Sequence, residues 1–174
     1  MENIEIRKVV PNEIDQLQKI GIQTFLEAFS SENSEENMNS YLEKSFSTQK
    51  LKTELKDKNS EFYFALENKT VVGYLKINLG QSQTEIKEEN AIEIERIYVL
   101  KEFYGKKIGQ LLFEKAMEIS RQKKVDYIWL GVWEENLRAI HFYQKNGFVV
   151  FDKHIFKLGD DIQTDLMMKL LLKE

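Results

Sequence analysis

The chain has 174 residues, no cysteine and a formal net charge of -4 at pH 7. Independent domains usually have ~100–200 residues, so we predict a single domain over residues 1–174. The composition excludes disulfides, a cysteine nucleophile and thiolate metal sites, and the acidic balance argues against nucleic acid, which requires clustered basic surface.

The start of the chain mixes charged residues with apolar ones and has no signal-peptide core. The longest apolar stretches, such as residues 128–133, are far shorter than the ~20 residues that span a bilayer. We therefore expect a cytoplasmic protein without a membrane partner.

The first 60 residues favour a short strand followed by three helices. Apolar residues alternate at the start of the chain and then recur at helical spacing. Asn33, followed three residues later by Glu36, resembles a capping box before the second helix. We predict a strand near residues 4–9 and a first helix near 14–29. Apolar positions within 38–46 mark a second helix, which follows the polar stretch 30–34, and those at 51 and 55 mark a short third helix.

From residue 61 onward strands alternate with helices. Segments 61–66 and 70–79 are rich in aromatic and β-branched residues and flank Asn68-Lys69, which predicts a hairpin. The polar segment 80–90 is predicted to be a loop. Further strands are predicted at 92–99, 125–133, 148–158 and 164–172, with helices at 106–121 and 136–146. This order predicts an α/β (α+β mixed) fold, a mixed sheet with helices on both faces.

A glycine-containing turn connects the strand at 92–99 to the next helix. Gly105 and Gly109 would let a bulky anion approach the backbone, and Lys106 and Lys107 add positive charge. The first helical turn exposes unpaired amide hydrogens and the positive end of the helix dipole. We interpret the turn as a phosphate or pyrophosphate site; a tight connection with solvated lysines is the alternative.

The helix at 136–146 has a second pattern. Asn136 can cap its start, and Gly147 can end it in a left-handed conformation. Ala139 and Tyr143 are four residues apart and share a face, which would leave a slot for a slender ligand beside a phenol. The alternative is that Phe142 and Tyr143 simply pack the helix against the core.

Taken together, these elements resemble the GNAT superfamily of N-acetyltransferases. The resemblance rests on the strand ending Glu-Arg-Ile-Tyr-Val, the glycine-containing turn, and Asn-x-x-Ala-x-x-Phe-Tyr-x-x-x-Gly-Phe. Residues 24–25, 37–42, 128–134 and 159–166 look like the PaiA-type spermidine/spermine acetyltransferases. The resemblance implies a mostly antiparallel sheet of about seven strands, acetyl-CoA as co-substrate, no metal, and a small cationic amine such as a polyamine as acceptor.

The resemblance also implies which residues bind the cofactor. Strand 93–99 would pair through its backbone with the pantetheine arm, the turn would cradle the pyrophosphate, and Lys145 would reach a phosphate. The implied cofactor-binding residues are Ile97, Tyr98, Val99, Tyr104, Gly105, Lys106, Lys107, Ile108, Gly109, Gln110, Asn136, Ala139, Phe142, Tyr143 and Lys145.

The turn departs from the family pattern Gln/Arg-x-x-Gly-x-Gly/Ala at its first two marked positions. Tyr104 and Lys107 occupy them, and Lys107 can still donate its backbone amide. We expect Gly105 to supply the conformational freedom one step earlier.

Three residues are candidates for catalysis. Tyr143 would protonate the departing sulfur, and a backbone amide near 97–99 would hold the developing oxyanion. Glu93 and Glu95 lie two apart on one strand, so a regular pleat puts both on the same face, where either would accept the amine proton. The alternative for each glutamate is a structural ion pair with lysine.

Other polar and aromatic residues have less specific interpretations. The only two histidines, His141 and His154, are too isolated in sequence for a metal site, and Trp129 and Trp133 are interpreted as core or pocket wall. The acidic residues at 160, 161 and 165 are interpreted as a solvated turn, with binding of a distal amine as the alternative.

Several functional alternatives remain open at the level of sequence. The acceptor would otherwise be an amino acid, an antibiotic amine or a protein N terminus. A negative regulator of gene expression is a second hypothesis, although no basic recognition helix is present. A fold that binds acetyl-CoA without catalysis is a third, and a homodimer is left open.

Overall fold

The computed structural model describes residues 3–172, without the side chain of Glu32. Residues 1, 2, 173 and 174, which the single-domain prediction includes, lie outside the described residues. The strands are β1 (Ile4–Lys8), β2 (Ser60–Glu67), β3 (Thr70–Leu79), β4 (Ala91–Val99), β5 (Tyr127–Trp133), β6 (Val149–Leu158) and β7 (Asp161–Leu171). The helices are α1 (Ile14–Phe29), α2 (Glu35–Ser45), α3 (Thr48–Lys56), α4 (Ile108–Gln122) and α5 (Leu137–Lys145).

The strands form one mixed sheet in the order β1-β2-β3-β4-β5-β7-β6. Among the described residues β4 and β5 are the parallel pair, and the other neighbours run antiparallel. The predicted fold, a mostly antiparallel sheet of about seven strands, is confirmed. The long connection needed between two parallel strands is α4, which follows β4 directly.

Helices cover both faces of the sheet because each has an apolar stripe at helical spacing. On one face α1 buries Leu17 and Phe25 in a core shared with α2 and α3. On the other face α4 buries Leu112 and Ala116 together with residues of α5. Within residues 3–172 no helix is both long and apolar enough to cross a membrane.

Three of the boundaries that differ from the prediction do so for local reasons. The cap of α2 is Ser34, whose hydroxyl accepts from the amide of Asn37 at 3.1 Å, whereas Asn33 lies one residue before the cap. Helix α4 begins two residues later than predicted because Lys107 is left-handed, with φ 64°. Strand β7 begins three residues early, since Asp161 already pairs with Leu158.

Strand β4 contains a bulge in its pairing with β3. Lys76 is opposite Arg96, while the next residue, Ile77, is opposite Ile94, so Glu95 is the additional residue. The bulge reverses the alternation of side chains along the second half of the strand. As a result Arg96 contacts the α1–α3 side, where its guanidinium lies 4.8 Å from the ring centre of Phe46, and Ile97 packs in the opposite core.

Candidate active site

The sheet opens between β4 and β5. These strands pair over only three positions, from Ala91 opposite Tyr127 to Glu93 opposite Trp129. Both strands continue further, but their ladder does not. The edge of β4 that faces β5 therefore has backbone groups without a strand partner beyond Glu93, and such groups normally find another hydrogen-bonding partner.

A cavity of about 1230 Å³ occupies this opening. Its wall includes Ile108 and Tyr143 from the core beneath α4 and α5, and Phe25 from the core beneath α1–α3. Because both faces of the sheet contribute, the cavity passes through the sheet where β4 and β5 separate. A ligand on one side would thus meet a ligand on the other within the opening.

The turn before α4 presents its backbone to the cavity. Gly105 and Lys107 both have positive φ, at 84° and 64°. A Cβ atom at Gly105 or Gly109 would meet nothing within 4 Å, so this side of the turn is open. Gly105 therefore has the expected freedom, but Lys107 itself also adopts the left-handed conformation at the position where the family pattern has glycine. Glycine adopts the left-handed conformation readily, whereas a non-glycine residue does so at a cost of ~1–2 kcal/mol.

The start of α5 is capped as the sequence predicts. The Asn136 side chain accepts from the amide of Ala139 at 3.3 Å, and Gly147 follows the helix with φ 97°. Tyr143 on this helix is 7% exposed and packs against Phe148. Its hydroxyl has no hydrogen-bond partner among residues 3–172, and burial raises its pKa well above the usual value for tyrosine.

The structure brings together almost all of the predicted cofactor-binding residues. Every member of that set except Lys106 lines the cavity. The Lys106 ammonium instead lies 5.1 Å from the ring centre of Phe103, outside the cavity wall.

Two contacts near the turn were not predicted from the sequence. The guanidinium of Arg138 lies 3.7 Å from the ring centre of Tyr104, and both residues line the cavity. Gln110 and Asn146 exchange side-chain hydrogen bonds of 3.0 and 3.2 Å, which connect the start of α4 to the end of α5. These contacts join the two halves of the predicted cofactor site. Their partners are 34 and 36 positions apart, so no local pattern identifies them.

Glu93 is a deeply buried carboxylate in the cavity wall. It is 3% exposed and accepts from the backbone amide of Thr84 at 2.8 Å, the Thr84 hydroxyl at 2.6 Å and the Asn78 amide at 3.0 Å. Burial raises the pKa of Glu93, and these hydrogen bonds oppose the shift without cancelling it. Among the described residues no lysine or arginine forms an ion pair with it.

Glu95 has the opposite electrostatic environment. Its carboxylate lies 2.8 Å from the Lys76 ammonium and 3.2 Å from the Arg96 guanidinium. Burial alone would raise its pKa, but the positive charges of Arg96 and Lys76 outweigh that effect and lower it to about 2. The Asn78 amide donates to both Glu95, at 2.8 Å, and Glu93, so the predicted shared face is confirmed.

Aromatic side chains form the part of the cavity on the α1–α3 side. Phe25 and Tyr41 stack with ring centres 4.5 Å apart, and Tyr41 meets Phe156 edge-on at 5.8 Å. Phe29 lies 6.1 Å from Trp133. The sequence identifies Trp133 as core or pocket wall, but it gives the helical residues only as apolar stripes.

The second histidine is not isolated in the fold. His154 Nδ1 lies 2.8 Å from Glu85 Oε2, and His154 Nε2 lies 3.4 Å from Asp165 Oδ2. The solvated-turn interpretation is therefore wrong for Asp165, which is a strand residue opposite His154 in the cavity wall. Asp160 and Asp161 are exposed. His141 is also exposed, and within residues 3–172 no group of acidic and histidine side chains is arranged to hold a metal ion.

Comparison with known proteins gives consistent matches. The sequence profile of the Acetyltransferase (GNAT) family matches residues 22–148. An uncharacterized N-acetyltransferase from the pepI 3′ region of Lactobacillus delbrueckii subsp. lactis is 39% identical over 172 residues, 99% of each chain. A spermidine N(1)-acetyltransferase of Thermoplasma acidophilum is 28% identical over 86% of this chain and 91% of its own. The crystal structure of a PaiA N-acetyltransferase from Thermoplasma acidophilum in complex with coenzyme A superposes with a TM-score of 0.80, at 26% identity over 96% of this chain and 98% of that one.

Proposed function

The chain belongs to the acetyltransferase (GNAT) family and is an acetyl-CoA-dependent N-acetyltransferase, and we propose that its acceptor is a primary amine of a polyamine such as spermidine. The observation that carries the proposal is that Glu93 and an aromatic-walled compartment share one cavity with Tyr143. A cofactor site and a site suited to an alkylammonium chain therefore meet inside the sheet.

The chain's own residues fit coenzyme A in two respects. The unpaired edge of β4 from residue 94 to 99 offers backbone donors and acceptors to an extended pantetheine arm. The first turn of α4, with open space at Gly105 and Gly109, offers amide donors to a pyrophosphate. Arg138 and Lys145 also line this part and would contribute positive charge. When bound, acetyl-CoA supplies an acetyl group activated as a thioester.

We call the aromatic part of the cavity, lined by Phe25, Phe29, Tyr41, Trp133 and Phe156, the acceptor compartment. It suits an aliphatic cation. Methylene groups pack well on aromatic rings, and an ammonium is attracted to ring faces by ~0.5–2 kcal/mol. Near this compartment the carboxylates of Glu54 and Glu95 pair with the cations Lys76 and Arg96. Glu93 adds a third carboxylate, connected to Glu95 through the Asn78 amide. With all five groups charged, the cluster has one net negative charge, which attracts a cationic substrate.

We assign the role of proton acceptor to Glu93 rather than Glu95. An amine with a pKa near ~10 is protonated at neutral pH and must lose a proton before it attacks. A useful base has a pKa near the working pH, and burial shifts Glu93 in that direction. Glu95 is held ionised by two cations and is a weak base. Thr84 is exposed and lines the cavity, so its hydroxyl would relay the proton to Glu93 Oε2.

Tyr143 is the proposed acid. Its raised pKa keeps the hydroxyl protonated at neutral pH, and no partner among the described residues competes for that proton. The hydroxyl would donate its proton to the departing sulfur, while a backbone amide near 97–99 would hold the developing oxyanion. The 28% identity to a spermidine N(1)-acetyltransferase also supports a polyamine as the acceptor.

The direct test is mass spectrometry of spermidine incubated with acetyl-CoA and the protein. We expect addition of one acetyl group, dependent on both, and loss of most product with Tyr143→Phe. A panel containing an amino acid, an aminoglycoside and a peptide with a free N terminus tests the other acceptors. Acetylation of the peptide or the amino acid with none of spermidine would overturn the polyamine assignment and leave the acetyltransferase activity intact.

A further inference from the structure

We propose that Glu85, His154, Gln163 and Asp165 form a distal subsite that binds the second ammonium group of a diamine or polyamine acceptor. All four residues line the cavity, and the proton-transfer roles above use none of them. This inference rests on the proposed function, because the subsite would hold one end of an acceptor whose other end is acetylated beside Tyr143.

The first observation is an unpaired acceptor in the wall of the cavity. The Asn33 amide donates to the backbone carbonyl of Phe29 at 2.9 Å, which fixes the orientation of that amide because a carbonyl only accepts. Asn33 Oδ1 is therefore the atom that receives the Gln163 Nε2–H at 2.9 Å. This contact in turn fixes the Gln163 amide.

Gln163 is 9% exposed, and its Oε1 has no hydrogen-bond partner among the described residues. Leaving such an oxygen unpaired costs free energy, which a bound donor would recover. An ammonium group provides three donors and no acceptor, which matches the unpaired oxygen.

The second observation is the charge of the subsite. His154 lies between two carboxylates, with Glu85 Oε2 at 2.8 Å and Asp165 Oδ2 at 3.4 Å. With both carboxylates ionised, the three side chains have a net charge of -1 if the imidazole is protonated and -2 if it is neutral. In either state the subsite attracts a cation and repels an anion.

The third observation is that the floor of the cavity is open beside these residues. Trp129, Gly131 and Trp133 alternate along β5 and line the cavity. A Cβ atom at Gly131 would lie 3.5 Å from His154 and 3.6 Å from Asp165 Oδ2. The missing side chain therefore leaves a gap next to the carboxylate, and Trp133, two residues along the strand, offers an aromatic surface to a methylene chain.

Steady-state kinetics with two acceptors test the subsite. Spermidine carries distal nitrogens, and n-butylamine has its four-carbon arm without them. We expect Asp165→Asn to lower the ratio of kcat/KM for spermidine to kcat/KM for n-butylamine by about tenfold or more, the effect of removing one hydrogen bond to a charged group. Glu85→Gln should lower the same ratio, and its side chain is 43% exposed, so the substitution is compatible with folding. An unchanged ratio in both variants would overturn the proposal.

The matched control is Asp160→Asn, which removes the same charge from the same hairpin at an exposed residue outside the cavity wall. It should leave the ratio at the wild-type value. A similar fall of the ratio in this control would mean that net charge, and not the subsite, selects the acceptor, and it would also reject the proposal.

A binding measurement separates this proposal from the proposed function. Calorimetric titration of spermidine into the protein with coenzyme A present does not require transfer. Weaker binding to Asp165→Asn than to wild type, by about tenfold, supports the subsite even if no acetyl group is transferred to spermidine. Equal binding to the two proteins rejects the subsite even if spermidine is acetylated.

Discussion

The hydroxyl of Thr84 donates a 2.6 Å hydrogen bond to Glu93 Oε2, and so connects an exposed loop residue to a carboxylate that is 3% exposed. The backbone amide of Thr84 donates to the other oxygen of the same carboxylate at 2.8 Å. The two contacts hold the loop after β3 against β4 at the place where β4 and β5 separate. They also favour the ionised form of Glu93 and limit the rise in its pKa caused by burial.

Replacing Thr84 by valine should raise the pKa of Glu93 further. Valine keeps the shape of the side chain and the backbone amide. It removes the hydroxyl, which in the wild-type protein donates to the carboxylate and stabilises its ionised form. Because this hydroxyl is also the proposed proton relay, the maximal kcat should fall in Thr84→Val. If Glu93 acts as a base, the remaining activity falls as pH drops through its pKa, so the acid limb of the kcat profile should move to higher pH in this variant. Thr84→Ser retains the hydroxyl and should keep the wild-type limb. A valine variant with an unshifted limb would exclude Glu93 as the group that controls it.

Replacing each glutamate by glutamine separates the two candidate bases. Glu93→Gln should lower kcat by ~10²-fold or more, the usual contribution of a positioned acid or base. Glu95→Gln should have a much smaller effect on kcat, because Glu95 is already held ionised by Lys76 and Arg96. The measurement is kcat with saturating acetyl-CoA and acceptor. The reverse order of effects would transfer the role to Glu95.

Glu95→Gln should instead reduce stability. Lys76 and Arg96 are 3% and 8% exposed, and removing one partner of buried charges costs about 3 kcal/mol. The pKa of Glu95 is lowered from 4.5 to about 2, so its contribution is present above pH 4.5 and is lost as pH falls toward 2. Denaturant melts should show a large difference between the variant and wild type at pH 7 and a smaller one at pH 3. A difference that does not change with pH would contradict this ion-pair account.

Much of the fold follows from local sequence patterns. The stripe from Ile14 to Phe29 predicts a helix correctly, because α1 buries one face. The aromatic and β-branched content of residues 70–79 predicts β3 correctly, since such side chains favour strands. Two departures from the local patterns come from single residues with an unusual backbone conformation. The left-handed Lys107 delays α4, and the additional residue Glu95 shifts the alternation of β4. Neither residue type signals these conformations.

The candidate site divides in the same way. Its cofactor half comes from two short segments, residues 97–110 and 136–145, each with a local motif that identifies it. The exceptions are Lys106, which lies outside the cavity wall, and the long-range contact of Arg138 with Tyr104. The acceptor half is assembled from distant parts of the chain. Thr84 lies in the segment 80–90, whose sequence indicates only a polar loop. His154 lies beside Asp165 because the register of β6 and β7 pairs these two residues. Such contacts depend on tertiary packing rather than on spacing.

Tyr143→Phe tests the proposed acid with little structural change. Tyr143 is 7% exposed, and its hydroxyl has no partner among residues 3–172, so removing the oxygen should not reduce stability appreciably. We expect kcat to fall by ~10²-fold or more with nearly unchanged affinity for coenzyme A. Phe142→Leu, at the neighbouring cavity residue, is the control for altered packing and should weaken cofactor binding more than it lowers kcat. Near-normal kcat in Tyr143→Phe, with chemistry shown to be rate-limiting, would reject the role.

Lys107→Gly should stabilise the protein. Lys107 has φ 64° and ψ 19°, a left-handed conformation that glycine adopts without the steric cost of a Cβ atom. Relief of ~1 kcal/mol would raise the melting temperature by ~2–4 °C in a domain of this size, although the greater flexibility of glycine in the unfolded chain offsets part of the gain. Lys106→Gly is the matched control: it removes the same charge at the adjacent residue, which does not have positive φ, and should not raise the melting temperature. Affinity for coenzyme A should fall only modestly in Lys107→Gly, because the backbone amide that would face the pyrophosphate is retained. A fall in melting temperature for Lys107→Gly equal to that of the control would show that the left-handed turn carries no strain that glycine relieves.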